Sequence, residues 1–93
     1  MANPEKSLFS SEGEALCQVL REERKRRRLS QAEVAATYGW SQSVIAKIEQ
    51  GERRLDVVEF LWLVRAMGAD PIKILALVTK RSRGKQTQPK SKT

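Results

Sequence analysis

The sequence predicts an all-α domain: a compact bundle of five short helices, followed by a disordered basic C-terminal tail. Three observations carry that expectation. Apolar residues recur at the three- and four-residue spacing of a helix face, and no segment shows the sustained alternation of a strand. A capping residue followed three positions later by Glu marks helix starts at Ser11 and Glu14, Ser30 and Glu33, and Asp56 and Glu59. Gly39, Gly51 and Gly68 then fall where the apolar stretches stop, as helix-ending glycines do.

Each element follows from its own residues. Residues 1–10 read as a flexible N-terminal arm, residues 11–79 as the folded domain and residues 80–93 as the tail. The first helix opens at the Ser11 cap, carries Leu16, Val19 and Leu20, and runs to about Arg27. The second begins at Gln31, with Val34, Ala35 and Tyr38 facing inward, and cannot continue past Gly39. Ser41 suits the cap of the third, whose apolar face is Val44, Ile45 and Ile48. The fourth starts after Asp56 and contains Val57, Phe60, Leu61, Leu63, Val64 and Met67. Asp70-Pro71 caps the fifth, with proline at the first helical position, where its missing N–H costs nothing. That helix is expected from Ile72 to about Thr79, and Ile72, Ile74, Leu75, Leu77 and Val78 give it more apolar surface than one face needs.

Composition narrows the function. Ninety-three residues make one small domain. The chain has no histidine, which removes the usual general base and the commonest metal ligand. Cys17 is the single cysteine, so no internal disulfide and no cysteine-based zinc site is expected; it reads as a small half-buried hydrophobe, not a redox switch. Neither an enzyme nor a cofactor is expected. No apolar run approaches the ~20 residues of a membrane span, and the polar N-terminus lacks a signal core. A cytoplasmic, nucleoid-associated location is therefore expected.

The net charge of +7 points toward a polyanion, but its placement matters more than its sum. Residues 80–93 hold six cations and no acids, which leaves 12 bases against 11 acids in the rest of the chain. The run Arg24 to Arg28 has two readings, a solvated helix end favoured by the helix dipole or a strip facing phosphates.

The segment from Leu29 to Gly51 is the candidate functional element. Two short helices around a tight turn need a small residue for close approach, a turn residue tolerant of positive φ, and an apolar packed side. Ala35, Gly39 and the set Val34, Tyr38, Trp40, Ile45 and Ile48 supply these. What remains on the outer face of the third helix is Gln42, Ser43, Ala46, Lys47 and Gln50. Amides and a base without large apolar groups suit base edges or phosphates in the major groove of duplex DNA.

Residues from about Leu20 to Pro71 resemble the lambda-repressor/Cro-type helix-turn-helix family, also called the XRE family. The resemblance rests on Arg24, Leu29-Ser30-Gln31, Val34-Ala35, Gly39, Ser41, Ile45, Ile48-Glu49, Gly51, Arg53, Leu61, Gly68 and Asp70-Pro71. It implies a five-helix bundle that binds DNA, commonly as a dimer. Carried over, Gln31 would meet a phosphate, Gln42 and Ser43 base edges, and Lys47 a guanine or a phosphate. Ser41 would cap or touch phosphate, and Arg53 and Arg54 would meet the backbone after the third helix. Arg24 and Glu49 would form an internal ion pair. Trp40 departs from the small or aliphatic residue usual in the turn; it reads as a core plug or as a residue at the DNA rim. Trp62 reads as an interface residue if exposed, or as partly covered by the arm. A dimer through Ile74, Leu77 and Val78 of the fifth helix would place two recognition helices about 34 Å apart on a near-palindromic operator, which suits a repressor. The alternative is an antitoxin-type module whose main partner is a toxin protein and which regulates its own operon.

Overall fold

The computed structural model describes residues 10–85 as five helices: α1 (Ser11–Arg26), α2 (Gln31–Thr37), α3 (Gln42–Glu49), α4 (Val57–Ala66) and α5 (Pro71–Lys85). The rest of the expected arm and residues 86–93 of the tail lie outside the described residues. Among the described residues there is no strand, and no helix is long and apolar enough to cross a membrane.

Local chemistry explains most helix starts. Ser30 accepts from the Glu33 N–H while the Glu33 carboxylate accepts from the Ser30 N–H, and Asp56 and Glu59 repeat the exchange. Asp70 accepts from the Ile72 N–H at 2.9 Å, which opens α5. Two expected caps are corrected. The first helix is capped by Ser10, whose hydroxyl accepts from the Gly13 N–H at 3.0 Å, so Ser11 is already the first helical residue. Ser41 stands at the N-cap position of α3 but makes no capping bond; its hydroxyl shares a hydrogen bond with that of Ser43 at 3.1 Å.

The helix ends share one device. In each of α1 to α4, the second residue past the C-cap donates its N–H back across the last turn, as in Leu29 to the Arg24 carbonyl and Trp40 to the Ala35 carbonyl. The residue between must adopt positive φ. It is Gly39, Gly51 and Gly68 in three of the four, but Arg28 at φ 61° after α1. A left-handed L-residue costs about 1–2 kcal/mol, part of which glycine would return as chain entropy in the unfolded state. Arg28 is exposed and has no side-chain partner among the described residues, so nothing else depends on it. Arg28→Gly is expected to stabilise the fold by about 0.5–1 kcal/mol. A higher urea midpoint with an unchanged slope would show it; a lower midpoint would mean that the arginine makes a stabilising contact.

Packing decides which apolar residues become core. α1 lies along α5, and α2 packs against α3, with α4 closing the bundle on both. Val19 and Leu20, Val34 and Ala35, Ile45 and Ile48, Phe60, Leu63 and Val64, Met67 and Ile74 form one buried cluster. Ala35 is only 2% exposed, as the close approach of α2 and α3 requires. Three expectations change. Tyr38 lies outward and stacks on Trp62 with ring centroids 5.8 Å apart. Ile74 belongs to the core, so it cannot serve a dimer surface, while Val78 is partly buried against that core and Leu77 is exposed. Finally, α5 continues to Lys85, through six residues expected to belong to the tail.

Candidate nucleic-acid interface

The candidate site is built outward from a buried ion pair. Arg24, near the end of α1, donates to Glu49, the last residue of α3, through Nε at 2.7 Å and Nη2 at 3.0 Å. Its Nη1 donates to the Leu29 carbonyl at 2.8 Å, so one guanidinium fastens α1, the loop before α2 and the end of α3. Side-chain exposures are 11% for Arg24 and 6% for Glu49, which excludes most competing water. The bonds to Glu49 hold the Arg24 guanidinium further above its ordinary range, against the opposing effect of burial.

From Glu49 the polar contacts continue toward the surface. Gln31 Nε2 donates to Glu49 Oε1 at 3.0 Å, and Gln42 Nε2 donates to Gln31 Oε1 at 2.5 Å. Four side chains from α1, α3, α2 and α3 again thus form one line, ending at the exposed first turn of α3. A carboxamide has two N–H donors and a carbonyl that accepts twice. Gln42 therefore still offers one N–H and its Oε1 at the surface.

The other sequence-predicted residues are placed differently. Ser41 and Ser43 are exposed beside Gln42 and bonded to one another. Lys47 is exposed one turn further along and has no side-chain partner among the described residues. Arg53 is partly exposed but committed to partners within the fold. It donates to both carboxylate oxygens of Glu59 at 3.0 and 3.2 Å and to the Arg54 carbonyl at 2.8 Å, and its guanidinium lies 5.8 Å from the Trp40 ring centroid. The hydrogen bond from Arg53 and the Asp56 backbone hold the Glu59 carboxyl below its ordinary range. Arg54 is exposed in the same loop.

Two aromatic residues find a joint role that sequence spacing did not reveal. Trp40 is half-buried against the core, meets Trp62 edge-on at 6.3 Å and so continues the Tyr38–Trp62 stack. Cys17 is half-buried, and its thiol donates to the Ile48 carbonyl at 3.2 Å, tying α1 to the last turn of α3. Burial pushes its ionisation up, so it stays a thiol.

The basic run divides between interior and surface. Arg24 serves Glu49, while Arg26 and Arg27 both donate to the buried Glu23 carboxylate, at 2.7 and 2.6 Å. Burial works against the Glu23 charge, but the two arginines prevail and hold its carboxyl below its ordinary range. Lys25, like Arg21 one turn earlier, is exposed without a side-chain partner among the described residues. The spacing of Arg21 and Lys25 signals a shared face, and the run as written hid it.

Residues 15–77 match a family model described as a helix-turn-helix domain. The chain is similar to an XRE-family like protein from Pseudomonas syringae pv. tomato str. DC3000, at 37% identity over 85% of this chain and 96% of that one, with a TM-score of 0.73. It is also similar to the restriction-modification controller protein C.AhdI from Aeromonas hydrophila, at 32% identity over 63% of this chain and 86% of that one, with a TM-score of 0.59. No curated protein matches.

Proposed function

The chain belongs to the XRE family of helix-turn-helix DNA-binding transcriptional regulators, and from that premise we propose that it reads a specific duplex site with α3 and represses transcription by occupying a promoter. The observation that carries this reading is the line of contacts ending at Gln42. An amide with one free N–H and a free carbonyl pairs with adenine N7 and N6 in the major groove. Ser43 and Lys47 extend the same face by one turn, toward neighbouring base edges and a guanine or phosphate. Gln31 retains an N–H for a phosphate while its carbonyl steadies Gln42. Ser41 and Arg54 flank the face toward the backbone. Arg53 contributes less than a free arginine would, because Glu59 offsets its charge.

A homodimer on a near-palindromic operator completes the reading, since one such module buries only about 600–1,000 Å² of its surface on DNA. With Ile74 in the core, the second copy is assigned to the apolar face formed by Ile72 and Leu75 of α5 with Val57 of α4. These three residues are exposed and apolar, which a lone domain in water does not favour.

Gln42→Ala tests the reading. Sites selected from a random duplex pool by the wild-type and variant chains should differ in base preference at one position per half-site, a difference of about 1–3 kcal/mol there. Uniform weakening on every sequence would remove Gln42 from base reading. A wild-type chain that selects no motif would overturn the function itself.

A further inference from the structure

We infer that Arg21 and Lys25 of α1, with Gln31 and Gln50, form a seat for one DNA backbone phosphate beside the recognition helix. The inference rests on the DNA-reading function proposed above and adds to it a contact from outside the two helices of the turn.

A polar depression of about 300 Å³ lies between α1, α2 and α3, and Arg21, Arg24, Lys25, Gln31, Glu49 and Gln50 line it. Arg21 and Lys25 sit four residues apart, on one face of α1. Five of the eight other arginines with described side chains are committed to carboxylates: Arg24 to Glu49, Arg26 and Arg27 to Glu23, Arg53 to Glu59 and Arg81 to Glu22. Arg21 and Lys25 have no such partner among the described residues, although they lie beside a carboxylate.

The bonds of Glu49 explain why. Both its oxygens accept from Arg24, and Oε1 accepts from Gln31 as well, so this carboxylate is already satisfied within the fold. The depression is left with two unmatched positive charges and two neutral amides. That donor set fits a phosphodiester, which has one charge and two oxygens that accept hydrogen bonds. The position fits as well, because Gln31 is bonded to Gln42 and Gln50 follows α3 directly. A backbone held there adjoins the strand whose bases α3 would face.

The double variant Arg21→Ala, Lys25→Ala tests the seat. Both side chains are exposed, so thermal unfolding and far-UV circular dichroism should match the wild type. Binding to a labelled duplex carrying the site that the wild type selects is measured from low to physiological salt. Loss of one phosphate contact should reduce the slope of log affinity against log salt by about 0.9, with the selected bases unchanged. Lys73→Ala, which removes an exposed unpartnered cation of α5 outside this depression, should leave the slope as it is. An unchanged slope in the double variant overturns the seat while the wild type's base selection upholds the function. The same fall in Lys73→Ala also overturns it, since overall charge would then explain the effect. If the wild type binds duplex without selecting a motif, the slope is measured on a random duplex, and the function fails whether or not the seat holds.

Discussion

Glu49→Ala is expected to destabilise the fold by about 3–5 kcal/mol, because it leaves the Arg24 guanidinium in a nearly closed site without its carboxylate. That is a large share of the roughly 5–15 kcal/mol by which small domains are stable. Urea unfolding followed by circular dichroism measures it, and a loss below about 1 kcal/mol would mean that the pair behaves as a surface salt bridge. The same substitution removes the acceptor that holds Gln31. The folded fraction of the variant should therefore lose base preference as well as stability.

Leu20→Ala is expected to cost a comparable 2–5 kcal/mol by a different route. Leu20 is 1% exposed in the centre of the cluster, where the surrounding helices cannot close over the missing carbons. It has no part in the polar line to Gln42. Under conditions where most of the variant is folded, its selected DNA motif should match that of the wild type. Together the two substitutions separate stability from reading: similar unfolding losses, with preference lost in one and kept in the other. Loss of preference in both would mean that the reading face depends on general core packing and not on the Glu49 contact.

Features encoded within a few residues were legible in the sequence. The reciprocal caps at Ser30 and Glu33 and at Asp56 and Glu59 are satisfied within one turn, so spacing alone reveals them. The same spacing misplaced the first cap by one residue, since Ser10 and Ser11 both fit and only backbone geometry chooses between them. The turn around Gly39 followed from a glycine placed where the helix must end, the Arg24–Glu49 pair from the family resemblance, and the structure contains both. What periodicity could not decide was which side of an apolar helix turns inward. Five apolar residues in α5 left that open, and packing along α1 drew in Ile74 while leaving Ile72, Leu75 and Leu77 outside. Tyr38 and Trp62 are 24 positions apart, so their stacking had no local signature. The Gln31–Gln42 bond was equally invisible, although both residues stood out as candidates separately.

That bond has a consequence for how fast a complex would form and dissolve. A long amide side chain on a surface helix ordinarily samples several rotamers, and fixing it on a ligand costs about 0.5–1.5 kcal/mol. In this fold the ordering of Gln42 is accomplished during folding, through Gln31, Glu49 and Arg24. Less freedom is left to surrender when a base pair arrives. Mutational changes in affinity at one interface fall mostly on the dissociation rate. The benefit of a side chain already held in place would accordingly appear as a longer-lived complex on the correct site, with encounter governed by charge alone.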